Sequence, residues 1–415
     1  MTAPPLEDTP FARGAVRQEP AGPATAAAAG TRAQEQHRPP GARPGRPRVL
    51  IAPVTVTPSK PLTPSHLKGL LWTDVMYRAT SALADVTYQC SHTTFHATEQ
   101  TAGFWEFLDR SYGDLDYEQL DEEAVGRLYV AFRGAERAPA AALRPYTDAA
   151  ERGWVHPASA RVLRLWSRHY AALGLHDPGL QTHQPPGLSL DAALERLGEL
   201  GLCLDQRAAG GPVYLDLTRH GLPLRPLVSA SGRPNYLACA LRELLPMAAD
   251  FDEVVLLYDS DLDSDYQLLQ RVIGALGPAV RRVSVGRVPV DGRILSARHG
   301  GWQDHHAGVL LDTALAQHDA AAVRLGMRLY FIGALGPGRR ESFRARLLHQ
   351  WIGRSGRLLD AAAAAGPAAD PPDLTDRLTR HRKDHLFVDP YRLTAGLLGR
   401  RSAAPGADLL NAVYL

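Results

Sequence analysis

The sequence predicts an α/β fold built on a doubly wound parallel sheet. Short β-branched runs alternate with amphipathic helical segments, which is typical of strand–helix–strand units. The run Asp252–Tyr258 is continuously apolar, as expected of a parallel strand buried on both faces. A strand–turn–helix element between Arg48 and Asp85 supplies the third observation. Such sheets bind their ligands where the strands end, so this edge is the expected site.

The first element joins a strand to a helix. Arg48–Val56 predicts the strand, and apolar residues at i, i+3 and i+4 predict a helix from Ser65 to about Asp85. Thr63 or Ser65 can cap this helix, whose free N–H groups and positive dipole end attract phosphate. His66 in the first turn could donate to the same phosphate. The alternative is a capped helix in which His66 is merely half-buried.

The remaining elements continue the alternation. Further predicted strands are Val86–Cys90, Pro212–Leu217, Asp252–Tyr258 and Val280–Val285. Predicted helices are Asp114–Gly134, Ala158–Leu173, Leu190–Leu200, Tyr236–Leu245 and Asp263–Leu276. After about His318 only helices are expected.

Composition narrows the class of protein. With 415 residues, 45% of them hydrophobic, the chain is long enough for two or three domains and a sizeable core. Its three cysteines form no Cys-x-x-Cys pair, which argues against a zinc site and a secreted disulfide framework. No run suggests a membrane span or a signal peptide, so we expect a cytoplasmic protein with no membrane or DNA partner. Residues 1–47 predict a disordered Ala/Pro-rich tail, and Asp360–Pro372 predicts a linker.

Five segments, in order, resemble the catalytic domain of arginyl-tRNA synthetases, a class I family. The first, KPLTPSHLKGLLWTD (Lys60–Asp74), resembles the family signature Lys-Pro-Met-His-Val-Gly-His-Leu-Arg. The others are Val162–Leu175, Gly211–Leu237, Asp252–Leu269 and Arg282–Trp302. The resemblance implies a catalytic domain at residues 48–318, with a helical insertion at about 113–185. It also implies a reduced helical C-terminal region at 319–415.

The resemblance implies ATP and Mg²⁺ as cofactors and assigns an altered adenylation site. The first signature His is Thr63 here, and the signature Gly, which lets adenine lie close to the backbone, is Ser65. In the second motif, arginines replace lysines, and Lys60 could supply the missing charge. The catalytic candidates are Lys60, Thr63, His66, Arg293 and Arg298. The candidates for nucleotide binding are Ser65, Lys68, Asp259 and Ser296.

The amino-acid pocket departs further from the family. By alignment, two carboxylates that hold the guanidinium in the family fall on Ala52 and Ala240, whereas the pocket tyrosine is kept as Tyr236. Thr57 is a further candidate for the substrate pocket. Arginine bound there would lose charge-assisted bonds of roughly 1.5–3 kcal/mol each. We therefore expect arginine to be a poor substrate.

Two polar clusters have alternative explanations. Asp304, His305 and His306 could suggest a metal, but adjacent histidines on a helix point in different directions, so no metal site is predicted. The acidic loop from Asp259 to Asp265 could bind Mg²⁺ with ATP, orient an amine, or cap the next helix.

Three functions follow from this sequence. The favoured one is an ATP-dependent ligase of specialised metabolism, which adenylates an amino acid and transfers it to a small-molecule amine without tRNA. The second is an arginyl-tRNA synthetase paralogue that forms aminoacyl-tRNA. The third is an inactive binding protein that keeps the fold. A short C-terminal part favours the first over the second, although its basic helix Arg339–Arg357 could contact RNA. The retained His66, Lys60 and Arg293 favour either enzyme over the third.

Overall fold

The computed structural model describes residues 45–182, 184, 186–295, 300–338, 341–365, 374–398 and 406–415. The strands in this part of the chain are β1 (Arg48–Pro53), β2 (Asp85–Tyr88), β3 (Cys203–Asp205), β4 (Val213–Leu215), β5 (Arg225–Val228), β6 (Glu253–Asp259), β7 (Ala279–Val285), β8 (Pro289–Val290) and β9 (Arg293–Ile294). The helices are α1 (Pro64–Ser81), α2 (Thr93–His96), α3 (Glu99–Tyr112), α4 (Glu122–Gly134), α5 (Ala140–Glu151), α6 (Pro157–Leu173), α7 (Leu190–Glu199), α8 (Tyr236–Leu244), α9 (Asp263–Gly274), α10 (Ala307–Leu315), α11 (Ala320–Arg328), α12 (Ala345–Ala365), α13 (Leu374–Thr379), α14 (Pro390–Leu398) and α15 (Ala407–Leu409). None of these helices is long and apolar enough to cross a lipid bilayer.

The central sheet is parallel, with strand order β2-β1-β6-β7. Val49 of β1 pairs with Glu253 of β6, and Pro53 pairs with Leu257. β2 pairs with one edge of β1. β6 pairs with the other edge of β1, and β7 pairs with β6. The order therefore reverses between β1 and β6, and a crevice at the carboxyl ends of these two strands is the expected ligand site.

Both faces of the sheet are covered. Val49 and Ile51 face a core shared with α1 and the helices after β9. Leu50 and Ala52 face a second core, shared with α7, α8 and α9. Alternate residues of one strand point to opposite faces, so a strand buried on both sides must be apolar throughout. The predicted doubly wound parallel sheet is confirmed.

A buried ion pair fixes α1 against the C-terminal helices. Arg328 of α11 is fully buried, and its Nη2 lies 2.5 Å from Asp74 Oδ2 of α1. Its Nη1 donates to the carbonyl of Leu173, at the end of α6, at 2.9 Å. The guanidinium thus joins three helices, and losing either charged partner would leave the other unpaired in the interior.

Helices α3 to α5 have a core of their own, around Phe104, Trp105 and Tyr129. They approach the β1–α1 loop closely at Gly126 of α4. A Cβ on Gly126 would lie 2.2 Å from the Trp302 ring and 2.7 Å from Pro61 Cγ. Since such distances are sterically forbidden, glycine is required for this contact between the insertion and the loop.

Several sequence expectations differ from the structure in detail. The single helix predicted at Asp114–Gly134 is a 3₁₀ turn at Tyr117–Gln119 followed by α4, because Asp121 caps a new helix by accepting from Ala124 N at 2.7 Å. The linker predicted at Asp360–Pro372 is wrong in its first part, since α12 continues to Ala365. Residues 1–44 of the predicted tail lie outside the described range, as do residues 366–372 of the linker.

Candidate active site at the carboxyl ends of β1 and β6

A pocket lies at the reversal of strand order, between the β1–α1 loop and the ends of β6 and β7. We call it the loop pocket; its lining includes Lys60, Thr63, Ser65, His66, Asp259 and Arg287. The first five were predicted from the sequence as catalytic or nucleotide-binding residues. The structure brings these five together around one cavity.

Thr63 and His66 are coupled at the start of α1. Thr63 is the N-cap residue, and Pro64 occupies the first helical turn. The backbone N–H of Thr63 donates to His66 Nδ1 at 3.0 Å, and Thr63 Oγ1 lies 3.1 Å from the same nitrogen. An Nδ1 that accepts a hydrogen bond carries no proton, so the proton of the neutral ring is on Nε2. His66 therefore serves as the helix cap through one nitrogen and keeps the other as a donor.

The charge state of His66 follows from its surroundings. Burial, together with the positive charges of Lys60 and Arg287, lowers the pKa of His66 to about 3. The ring is consequently neutral at physiological pH. An Nε2–H donor of fixed tautomer suits an anionic ligand, and the two nearby cations together with the N-terminus of α1 add positive potential.

Arg287 was not predicted from the sequence. It follows β7, and its guanidinium forms ion pairs with Asp259 and, at 3.2 Å, with Asp261. Its position at the carboxyl end of a parallel strand could have identified it as a site residue, because ligand-binding residues of such sheets concentrate there. Lys60 also lines the pocket, and its ammonium lies 6.0 Å from the Tyr129 ring centroid.

Ser65 and Lys68, both predicted to bind the nucleotide, form hydrogen bonds with other segments of the protein. Ser65 Oγ accepts from Val288 N at 3.0 Å, which ties the first turn of α1 to the segment after β7. Lys68 is buried, does not line the loop pocket, and donates through Nζ to the carbonyl of Gly338 at 2.9 Å. Burial lowers the pKa of Lys68 to about 8. Its position therefore gives no support to a direct role at the nucleotide.

The second motif is only partly described. Arg293 lies in β9 with an exposed side chain and does not line the loop pocket, whereas Leu295 does. Ser296 and Arg298 lie outside the described residues. The predicted roles of these two residues stay predictions.

A second cavity, the deep pocket, adjoins the loop pocket. All four predicted substrate residues line it: Ala52, Thr57, Tyr236 and Ala240. Both pockets share Lys60, His66, Asp259 and Arg287. Thr57 Oγ1 lies 3.4 Å from the Tyr236 hydroxyl, which joins the β1–α1 loop to α8 across the pocket. Two ligands could therefore meet at the shared residues.

Glu243 supplies a carboxylate to the deep pocket. It was not predicted from the sequence. It is seven residues after Tyr236 on α8, and this spacing, which places both residues on one helix face, was the signal. Gln89 Nε2 donates to Glu243 Oε2 at 2.8 Å, while Thr94 and the N–H of Gly187 donate to Oε1. Burial raises the pKa of Glu243, and these hydrogen bonds oppose that shift.

A buried carboxylate supports the loop from behind. Glu122 of α4 accepts from Leu62 N at 2.8 Å, from His169 Nε2 at 2.7 Å and from His306 Nδ1 at 3.2 Å. Burial opposes its ionisation, but the hydrogen bonds from the two histidines and Leu62 lower the pKa of Glu122 to about 2. His306 is thus a partner of Glu122, and within the described range no group of three or more His, Cys, Asp or Glu could hold a metal ion.

The acidic loop after β6 is engaged with protein groups. Asp259 and Asp261 bind Arg287, Asp263 lies 3.2 Å from Arg282, and Asp265 lies 2.9 Å from Arg225. Asp259 also caps the next turn by accepting from Asp261 N at 3.0 Å. The loop therefore does not present free carboxylates that fit a resident Mg²⁺.

Comparisons with known proteins agree with this architecture. The arginyl-tRNA synthetase of Thermus thermophilus aligns over 83% of this chain and 70% of its own length, with 17% identity and a TM-score of 0.56. The arginyl-tRNA synthetase of Plasmodium falciparum aligns over 87% of this chain, with 12% identity and a TM-score of 0.54, and only 65% of its own length is covered. No protein-family model and no curated protein matches the sequence.

The fold is therefore that of a class I aminoacyl-tRNA synthetase core: a parallel sheet with helices on both faces and a pocket at the reversal of strand order. Within that class, the fold is arginyl-tRNA synthetase-like, as the sequence predicted.

Proposed function

We propose that the protein is an ATP-dependent ligase that activates an amino acid and transfers it to the amine of a small molecule. One observation carries the proposal: two pockets share Lys60, His66, Asp259 and Arg287. One pocket suits a polyphosphate because it combines cations, a neutral Nε2–H donor and the N-terminus of α1. The other suits an amino acid, since it is largely apolar with a few polar groups.

The proposed reaction has two balanced steps. A carboxylate oxygen attacks the α-phosphorus of ATP, the bond to the bridging oxygen breaks, and pyrophosphate leaves with that electron pair. The acceptor nitrogen then attacks the acyl carbon, the carbon–oxygen bond to AMP breaks, and AMP leaves. The proton lost by the nitrogen passes to water.

In this proposal the residues stabilise the first step. Negative charge grows on the phosphate oxygens as pyrophosphate leaves, so fixed donors and cations there lower the barrier. His66 donates through Nε2, and Lys60 contributes a movable ammonium. Arg287 is held by Asp259 and Asp261, and this pairing fixes it at the junction of the two pockets. Mg²⁺ would enter with ATP, where it would neutralise phosphate charge.

The amino acid is proposed to be one other than arginine. Ala52 and Ala240, which the sequence alignment matches to two carboxylates of the family, both line the deep pocket. Three other carboxylates line the pocket, and each has protein partners. Asp259 pairs with Arg287, Asp265 pairs with Arg225, and Glu243 accepts hydrogen bonds from Gln89, Thr94 and the N–H of Gly187. A guanidinium beside the two alanines would be desolvated without a partner, which costs on the order of several kcal/mol.

ATP–pyrophosphate exchange tests the proposal. The purified protein would be screened with each amino acid, with and without total tRNA. Exchange that depends on one amino acid and needs no tRNA supports the ligase. No exchange under any condition refutes both enzyme functions and leaves the binding protein.

A tRNA-dependent paralogue is the second candidate, because the solved structures with this fold are arginyl-tRNA synthetases. It predicts that aminoacyl-tRNA accumulates and that small amines do not increase AMP release. Transfer to tRNA would be measured with a radioactive amino acid in the same reactions.

A further inference from the structure

A groove with three arginines runs beside the deep pocket. It lies between helices α3 and α4 on one side and the connection from β5 to α8 on the other, and we call it the arginine groove. Its lining includes Arg133, Arg137, Arg233, Gln100 and Tyr236. Gln100 and Tyr236 also line the deep pocket, so the two cavities share a border. The groove has a volume of about 370 Å³, within the size range of sites for small molecules.

The charge of this groove is positive. Glu99 is the one acidic residue among its described lining, against three arginines. Glu99 Oε1 lies 4.0 Å from Arg137 Nη1, and Glu99 Oε2 lies 3.7 Å from Arg233 Nη1. Both distances exceed hydrogen-bond length, so Glu99 only partly neutralises the two guanidinium groups. An anion that entered the groove could form the close contacts that Glu99 does not.

Two donors at the groove lack hydrogen-bond partners within the described residues. They are Gln100 Nε2 and Arg233 Nη1, and both atoms are shielded from solvent. A buried donor without a partner is destabilising, and such groups are rare in native structures. A ligand that brings an acceptor oxygen would remove this destabilisation. One of the two, Gln100, lies at the border with the deep pocket.

From these contacts we infer that the arginine groove binds the amine acceptor, and that this acceptor carries a carboxylate or a phosphate group. The inference rests on the proposed ligase function and adds the chemical class of the second substrate. Oxyanions suit guanidinium groups because they accept two charge-assisted hydrogen bonds at once. With its anionic end among the arginines, the acceptor has its amine free to reach across Gln100 and Tyr236 toward the activated amino acid.

The test compares acceptors that differ in charge alone. β-Alanine and 3-aminopropanol have the same chain length, but only β-alanine carries a carboxylate; 2-aminoethylphosphonate, with the same spacing between its amine and its acid group as β-alanine, supplies the phosphate-like alternative. With the best amino acid from the exchange screen, amino-acid-dependent AMP release is measured against the concentration of each acceptor. The wild-type protein is expected to use one of the anionic amines with a KM at least about tenfold lower than that of 3-aminopropanol.

Three variants are expected to change the preference for the anionic amine, two of them lowering it and one raising it. Arg233→Gln and Arg133→Gln should each reduce the preference for the anionic amine. Glu99→Gln should increase it, because the competing carboxylate is removed, a gain that a purely structural role of Glu99 would not produce. Arg196→Gln, on the exposed face of α7 and paired with Glu199, is the matched control outside the groove.

The outcomes separate the two proposals. If no amino acid supports exchange, the proposed function fails and the groove assignment fails with it. If exchange proceeds but charged and uncharged acceptors have equal KM values, only the groove assignment is overturned. It is equally overturned if tRNA alone accepts the amino acid, since the arginines would then serve RNA phosphates.

Discussion

Replacing His66 by alanine tests its proposed role as a phosphate donor together with its role in capping α1. The variant removes the Nε2–H donor, and loss of one preorganised donor typically lowers kcat by about 10²–10³, or roughly 3–4 kcal/mol of transition-state stabilisation. It also removes the Nδ1 acceptor that satisfies the N–H of Thr63 at 3.0 Å. That second loss should lower the free energy of unfolding by only about 1 kcal/mol.

Two further variants at the same position separate these effects. His66→Asn keeps an acceptor near the position of Nδ1 but loses the reach of Nε2, so it should remain stable and lose the rate. His66→Gln can extend an amide donor toward the position of Nε2 and should recover part of the rate. Exchange kinetics give kcat, and urea unfolding gives stability. If His66→Ala exchanges pyrophosphate at a near-normal rate, the assignment of a phosphate donor is wrong.

The pH dependence provides an independent check on the protonation state of His66. Because burial and the charges of Lys60 and Arg287 lower its pKa to about 3, the ring stays neutral from about pH 5 upward. The exchange rate should therefore show no His66-dependent inflection near pH 6.5. An inflection there that disappears in His66→Gln would mean that the imidazole is ionised during the reaction.

The remaining predictions concern Lys60, Ala240 and Glu122. Lys60→Ala should lower kcat for exchange more than it raises the KM for the amino acid, because the ammonium meets charge that develops in the transition state; an unchanged kcat would move this role to another cation. Arginine should be a poor substrate, and Ala240→Asp should raise its kcat/KM by about tenfold or more; arginine as the best wild-type substrate would contradict this. Glu122 has a pKa of about 2, below the ordinary value of 4.5, so about 3 kcal/mol of stability is present above pH 5 and is lost as the pH falls toward 2. Urea unfolding at pH 6 and pH 3 should show this loss in the wild-type protein and a smaller one in Glu122→Gln.

The sequence predicted the parts of the fold that depend on local pattern. The amphipathic spacing of α1 and the continuous apolar run of β6 are local signals, and both elements form where expected. The strand Arg48–Val56 is shorter in the structure and ends at Pro53. Helices α3 and α5 were not predicted. Much of α3 is buried, including Phe104 and Trp105, so tertiary packing among helices α3 to α5 contributes to its stability.

The residues of the candidate site also fall into two groups: those that the sequence predicts and those that only the tertiary structure brings to the pockets. Thr63, His66 and Lys60 stand in one motif, so their proximity could be predicted from the chain itself. Arg287 and Glu243 reach the pockets from β7 and α8, and only the sheet order and the helix face bring them there. Lys68 shows the converse: it is close to His66 in sequence, yet its ammonium binds the carbonyl of Gly338. Proximity in the sequence therefore identifies the residues of the β1–α1 loop. The topology of the fold determines which other residues line the two pockets.

On α8, the deep pocket has a carboxylate at Glu243, three residues after Ala240. Tyr236 is 37% exposed, whereas Glu243, seven residues later on the same helix face, is 7% exposed, so depth increases along the helix. Glu243 lies about 4.5 Å further along the axis than Ala240, at 1.5 Å per residue. Its Oε2 accepts one hydrogen bond, from Gln89, and a carboxylate oxygen can accept another. A substrate donor that reaches past Ala52 and Ala240 can use this lone pair, whereas a guanidinium that stops beside the alanines cannot. We therefore expect the proposed substrate pocket to discriminate by the depth at which the side chain presents its donor.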